Sequence, residues 1–135
     1  MRTFAWMFVV VACGHAPPPK PPPAELAVKT AADIAGTWVT SDDMDWGYRL
    51  TIDKDGKLDQ TIDRGKLGRC AQKGTLAVGG EPKQFAITYA KNECNQQYDG
   101  GAVQLKVTSF TGDALAVTLV GYGVEERHVY KKAAP

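Results

Sequence analysis

From residue 36 onward, apolar and polar positions alternate in short runs broken by glycine, and no window holds the 3.6-residue period of a helix. Gly47 to Asp53 is the clearest run. Tyr48, Leu50 and Ile52 share one face and Arg49, Thr51 and Asp53 the other, as in a half-buried strand. Lys54-Asp55-Gly56-Lys57 follows as a hairpin turn, with Asp-Gly supplying the positive-φ positions of a type I′ turn. Its return strand points Leu58 and Ile62 inward. Further runs at Gly36 to Ser41, Thr75 to Val78, Gln84 to Lys91, Ala102 to Phe110, Ala114 to Val120 and Glu125 to Lys131 bring the expectation to about eight strands. The links are short, so neighbours must be antiparallel. The predicted class is all-β, a meander barrel. Its inward set adds Leu76, Val78, Phe85, Ile87, Tyr89, Val103, Leu105, Val107, Leu115, Val117 and Leu119. A barrel of about eight strands is barely wide enough for its own side chains. The interior is therefore expected to be solid, with at most a shallow pocket at one mouth.

The start of the chain has a different pattern. Met1-Arg2 precedes an uncharged, apolar run from Phe4 to Ala12, far shorter than the roughly 20 residues a membrane-spanning helix needs. It reads as a signal peptide over residues 1–12. Six of the eight prolines then fall between Pro17 and Pro23. This stretch must adopt polyproline II and, at about 3.1 Å per residue, spans roughly 22 Å. Residues 13–32 are thus expected to form a stiff tether, with a short helical turn between Ala24 and Ala32, ahead of one domain over 33–135. Val10-Val11-Ala12-Cys13 resembles the bacterial lipobox, although Val10 stands where leucine is commoner. The resemblance implies diacylation of the Cys13 thiol, cleavage in front of it and acylation of the new amine. Gly14 occupies the place where that family's inner-membrane retention signal has aspartate, which implies outer-membrane residence facing the periplasm. Two or more acyl chains hold a protein on a membrane almost permanently, so the domain needs no lipid-binding surface of its own.

Charge narrows the partners. The 16 basic and 15 acidic residues nearly cancel, leaving no electrostatic footprint for nucleic acid. Once Cys13 is acylated, Cys70 and Cys94 remain as a pair in an oxidising compartment and are expected to form a disulfide. Closing a loop of that length stabilises a fold by about 3 kcal/mol in the chain-entropy model. A zinc or redox site would call for a Cys-x-x-Cys, and the chain has none.

Gly36-x-Trp38 on a first strand, the antiparallel meander, and Arg127 on the last strand resemble the lipocalin-like barrels. That resemblance implies a barrel-closing pair in which Arg127 lies across Trp38. The plainer alternative puts Arg127 on the surface beside Glu125 and Glu126.

Signals for catalysis are sparse. Asp53-Lys54-Asp55-Gly56 with Asp59 lacks the glycine and glutamate spacing of a calcium loop. His128 is the only histidine beyond the tether, and neither a Gly-x-Ser-x-Gly turn nor a phosphate-cradling loop occurs. No enzyme, metal site or cofactor other than the lipid on Cys13 is expected. Candidate recognition residues are Asp42, Asp43, Asp45 and Trp46 on one loop, and Tyr98 beside Asn95, Gln96 and Gln97 on another. Their plain alternative is an ordinary solvated surface. The expected function is a monomeric, lipid-anchored envelope protein that presents a binding or interaction module to a small ligand or an envelope protein. Its alternatives are a structural or inhibitory lipoprotein, similar to small lipidated barrels that block lysozyme, or a carrier of a small apolar ligand.

Overall fold

A computed structural model describes Gly14, residues 16–95 and residues 100–134. The signal peptide, Cys13 and Tyr98 lie outside the described residues. Eight antiparallel strands form a closed meander barrel in which each pairs with its sequence neighbours and the last returns to the first. They are β1 Gly36–Ser41, β2 Gly47–Ile52, β3 Lys57–Asp63, β4 Arg69–Val78, β5 Gln84–Asn92, β6 Ala102–Phe110, β7 Ala114–Gly121 and β8 Val124–Lys132.

The β2–β3 connection differs from a two-residue type I′ turn. Four residues, Asp53 to Gly56, bridge the strands, and of these only Gly56 has a positive φ, +90°. The Asp53 carboxylate explains the difference, because its Oδ1 accepts hydrogen bonds from the amides of Asp55 and Lys57 and holds the intervening residues right-handed. Gly56 also approaches Leu76 so closely that a Cβ there would sit 2.6 Å from the Leu76 carbonyl oxygen.

Two bulges change which residues face inward. Between Lys73 and Gly74 the β4–β5 register slips by one residue, so Asn92 joins Gln72 inside although it is three positions from the inward Tyr89. Gly74 is required there, since a Cβ would meet the Thr88 carbonyl oxygen at 2.4 Å. A second slip, between Val107 and Ser109, turns Phe110 into the core. Strand β4 begins at Arg69, well before the expected start at Thr75, so Cys70 is a strand residue. Val78, expected inside, is exposed because β4 runs past the end of the barrel there.

The barrel has two unlike ends. At the end where β1 begins, Ile34 and Trp38 are fully buried, and the Trp38 indole Nε1 donates to the Ile34 carbonyl at 3.0 Å. Phe110 meets the Trp38 ring edge-on at 6.0 Å. The chain before β1 also packs here. Leu26 N donates to the Phe110 carbonyl, the Glu25 carboxylate accepts from Ser109 Oγ and Phe110 N, and Val28 and Ala31 are buried in the core. A single 3-10 turn spans Ala31–Ile34. Packing against the barrel thus reaches back to Glu25, with Val28 and Ala31 helping to plug this end.

The Trp38–Arg127 pair does not form. Arg127 pairs across β7 with Thr118 on the outer face, where its guanidinium contacts Glu125 at 3.2 Å. Trp38 faces inward, and the cation nearest its ring is Lys132, whose Nζ lies 6.0 Å from the centroid. A residue five places closer to the other end of β8, on the opposite face, cannot reach the plug.

Candidate functional site

The opposite end is open. At its mouth it holds a cup of about 350 Å³, lined by the ends of the strands and by residues that follow β1, β5 and β7. The cup lies at one mouth, where the sequence left room for a shallow pocket, and its floor is the packed interior. Below the cup, Leu50, Ile52, Phe85, Ile87, Leu105, Leu115 and Val117 close the barrel as a dry layer. Above them the inward positions become polar or shorter, and the strands supply Gln60, Gln72, Asn92, Glu126 and His128 together with Tyr48 and Tyr89.

Each of these side chains is oriented by local structure. The Asp42 carboxylate organises the β1–β2 loop, since Oδ1 accepts from Met44 N and Trp46 N while Oδ2 accepts from Tyr48 Oη at 2.8 Å. Burial alone would raise the Asp42 pKa, but these hydrogen bonds outweigh it and hold the carboxyl below its ordinary value. Tyr48 is shifted the other way. Burial first, then the bond to Asp42 and its negative charge, push the phenol well above the ordinary tyrosine range. The Tyr48 ring lies 5.0 Å from that of His128, which in turn lies 5.8 Å from Tyr130. His128 Nε2 is 3.4 Å from Glu126 Oε2, two residues along the same inner face. Tyr130 is buried beneath, hydrogen-bonded to Gln60, and its phenol is pushed up by burial. Burial, with Glu126 and Tyr122 adding to it, pushes Tyr89 up to about 12. All three phenols are neutral at physiological pH.

Cys70 and Cys94 are bonded, with Cα atoms 5.1 Å apart, within the range a bridge requires. The bond ties β4 to the segment after β5 at the cup's edge, and Cys94 lines the cup. Opposite-sign contacts elsewhere on the rim, such as Arg69 with Asp63, are solvent-exposed and contribute little.

Of the residues singled out on the rim, Trp46 lines the cup and Asp42 stands behind Tyr48, whereas Asp43 and Asp45 are exposed to solvent. The loop therefore divides into a structural inner carboxylate and two outer ones. Gln60, Gln72, Tyr89, Asn92, Glu126 and His128 were not anticipated as site residues. A signal for several of them was present: Gln60 lies between the inward Leu58 and Ile62, and Glu126 shares a face with His128 and Tyr130. A polar residue at an inward position of a strand marks the place where packing gives way to a cavity. Asn92 carried no such mark, because the bulge decides its direction.

A second, outer trough runs along β6, β7 and β8 among exposed side chains including Lys106, Arg127 and Val129. Among the described residues no group of three or more His, Cys, Asp or Glu side chains is arranged to hold a metal ion. Compared with known protein families and with curated proteins, the chain matches none.

Proposed function

We propose that this is a lipid-anchored envelope protein, acylated at Cys13, whose barrel serves as a binding module with the cup as its site. The observation that carries the reading is the placement of the cup at the end opposite the tether. The segment from Glu25 to Ile34 packs on the plugged end, so a membrane held through Cys13 would lie on that side. The proline run adds a stiff spacer of roughly 22 Å, and the cup then faces away from the lipid into the periplasm. A volume of about 350 Å³ lies at the small end of the range for small-molecule sites, roughly 300–1,000 Å³. Its amide, imidazole and phenol groups favour a polar ligand over the apolar cargo of a carrier.

Two measurements test this. Cys13→Ala is expected to abolish palmitate labelling and membrane retention while the barrel stays folded; persistent labelling of the variant refutes the anchor. A native mass spectrum of the protein from its producing cells is expected to show a copurifying small molecule. A second reading, an interaction or inhibitory module for another envelope protein, is favoured by the exposed Met44, Tyr122 and Val124 around the mouth. In that case the same spectrum carries a bound protein instead.

A further inference from the structure

The cup has a sign of charge and one open hydrogen-bonding position, and together they point to a class of ligand. Among the described residues lining it, Glu126 is a carboxylate and none is lysine or arginine. The nearest arginine, Arg127, turns to the outer face and contacts Glu125. One Glu126 oxygen touches His128, and no other hydrogen-bond donor of the described residues reaches the carboxylate. Asp42 adds a second negative charge immediately behind Tyr48. Because Tyr48 donates its proton to Asp42, the lone pairs of the phenol oxygen remain available to a donor from the cup.

The independent observation is Tyr89. Its side chain is 95% withdrawn from solvent, being only 5% exposed, yet its hydroxyl has no hydrogen-bond partner among the described residues, and it lines the cup. The hydroxyl is not sealed from water but opens into the cup, where a ligand atom can pair with it. It stands in the field of Glu126, the charged group that raises its pKa most. The walls are aromatic as well, with Trp46, Tyr48 and Tyr122 presenting rings that attract a cation.

We infer that the cup binds a small organic cation, an ammonium-bearing ligand whose charge sits on Glu126 and whose carbon skeleton lies against the aromatic wall. This rests on the reading of the cup as a binding site and names its ligand class. An anion would meet Glu126 and Asp42 with no cationic side chain to offset them. A neutral apolar molecule would leave the Tyr89 hydroxyl without a partner and cover the Glu126 carboxylate without neutralising it.

Three probes of similar shape separate these cases: phenethylammonium, 2-phenylethanol and 3-phenylpropionate. Each is titrated into the full, disulfide-bonded chain by calorimetry and by tryptophan fluorescence, the Trp46 signal being the difference between the wild-type chain and Trp46→Phe. The ammonium probe is expected to bind about fivefold more tightly than the alcohol, the effect of one solvent-exposed ion pair with Glu126, and the carboxylate least. Glu126→Gln is expected to remove that preference while leaving the alcohol's affinity unchanged. Glu125→Gln, on the outer face, is expected to change nothing. Equal binding of the three probes, preference for the carboxylate, absence of ammonium binding, or a preference that survives Glu126→Gln would each overturn the inference. If the alcohol or the carboxylate still perturbs Trp46, the cup remains a binding site with a different ligand class. If no probe moves Trp46 and nothing copurifies with the protein, the binding-module reading falls too.

Discussion

The two ends of the barrel are built from the same strands and differ in what fills them. At the plugged end a tryptophan, a phenylalanine, an isoleucine and part of the tether occupy the interior, and Trp38 and Ile34 have almost no contact with water. At the open end the inward positions are Gln60, Gln72, Asn92, Glu126 and His128, and a cup remains. In a meander the hydrogen-bonded wall is the same along its whole length, so the strands themselves do not distinguish stability from recognition. The inward side chains do. Apolar area buried at the plug supplies the driving force, and the cup is kept open at the expense of packing that larger apolar residues would give.

The most demanding test of this division compares Trp38 with Trp46, the two tryptophans of the barrel. Trp38→Ala is expected to destabilise the fold by about 3–5 kcal/mol, because it empties a fully packed site and orphans the Ile34 carbonyl. Trp46→Ala is expected to cost about 1 kcal/mol or less while weakening ligand or partner binding. Urea unfolding of both variants measures the contrast, and comparable losses at the two sites would break it.

The next effect belongs to the disulfide, the one covalent link at the cup. Replacing both Cys70 and Cys94 with serine is expected to cost about 3 kcal/mol, chiefly through the unfolded chain. Hydrogen exchange should then rise first in the amides of β4 and β5 beside the cup, with those of β1 and Phe110 still protected. Uniform loosening of both ends would show that the barrel responds as one unit.

The smallest effect is at the plugged end and depends on pH. Hydrogen bonds from Ser109 Oγ and then Phe110 N hold the Glu25 carboxyl below its ordinary value. A carboxyl lowered in the folded state stabilises the fold fully above its unfolded pKa, and that contribution disappears as pH falls through the folded value. Glu25→Gln should therefore lower the urea midpoint slightly at pH 7, with the difference shrinking as acid protonates the folded-state carboxyl. A gap that persists in acid would assign Glu25 a packing role instead of an electrostatic one.

Much of the wall was legible from alternation alone. Of the expected strands, Gly36–Ser41 and Ala102–Phe110 match outright and five more need only small changes of boundary, and Tyr48, Leu50, Ile52, Leu58, Phe85, Ile87, Leu105, Val107, Leu115 and Val117 all lie in or against the core as their parity demanded. The fourth strand was read too short, because Arg69 to Gly74 mixes charge, amide and glycine in a stretch whose inner side borders the cup. The lining of the cup is illegible for a related reason. Alternation assigns inward residues strand by strand, and only their height in the closed barrel brings the polar ones to one level.

What the sequence by itself determined is local: the period of two, the glycine breaks, the proline run, and a pair of cysteines available to bond. These depend on neighbouring residues, through backbone sterics and the two faces of a strand. Tertiary structure alone decided the rest. Phe110 and Asn92 turn inward because one strand slips against another, and no residue's own parity records that slip. Lys132 instead of Arg127 approaches Trp38 because barrel closure fixes which level and which face each residue of β8 occupies. The cup exists because inward side chains from separate strands meet at one height, and their summed volume, which no single segment carries, leaves that level unfilled.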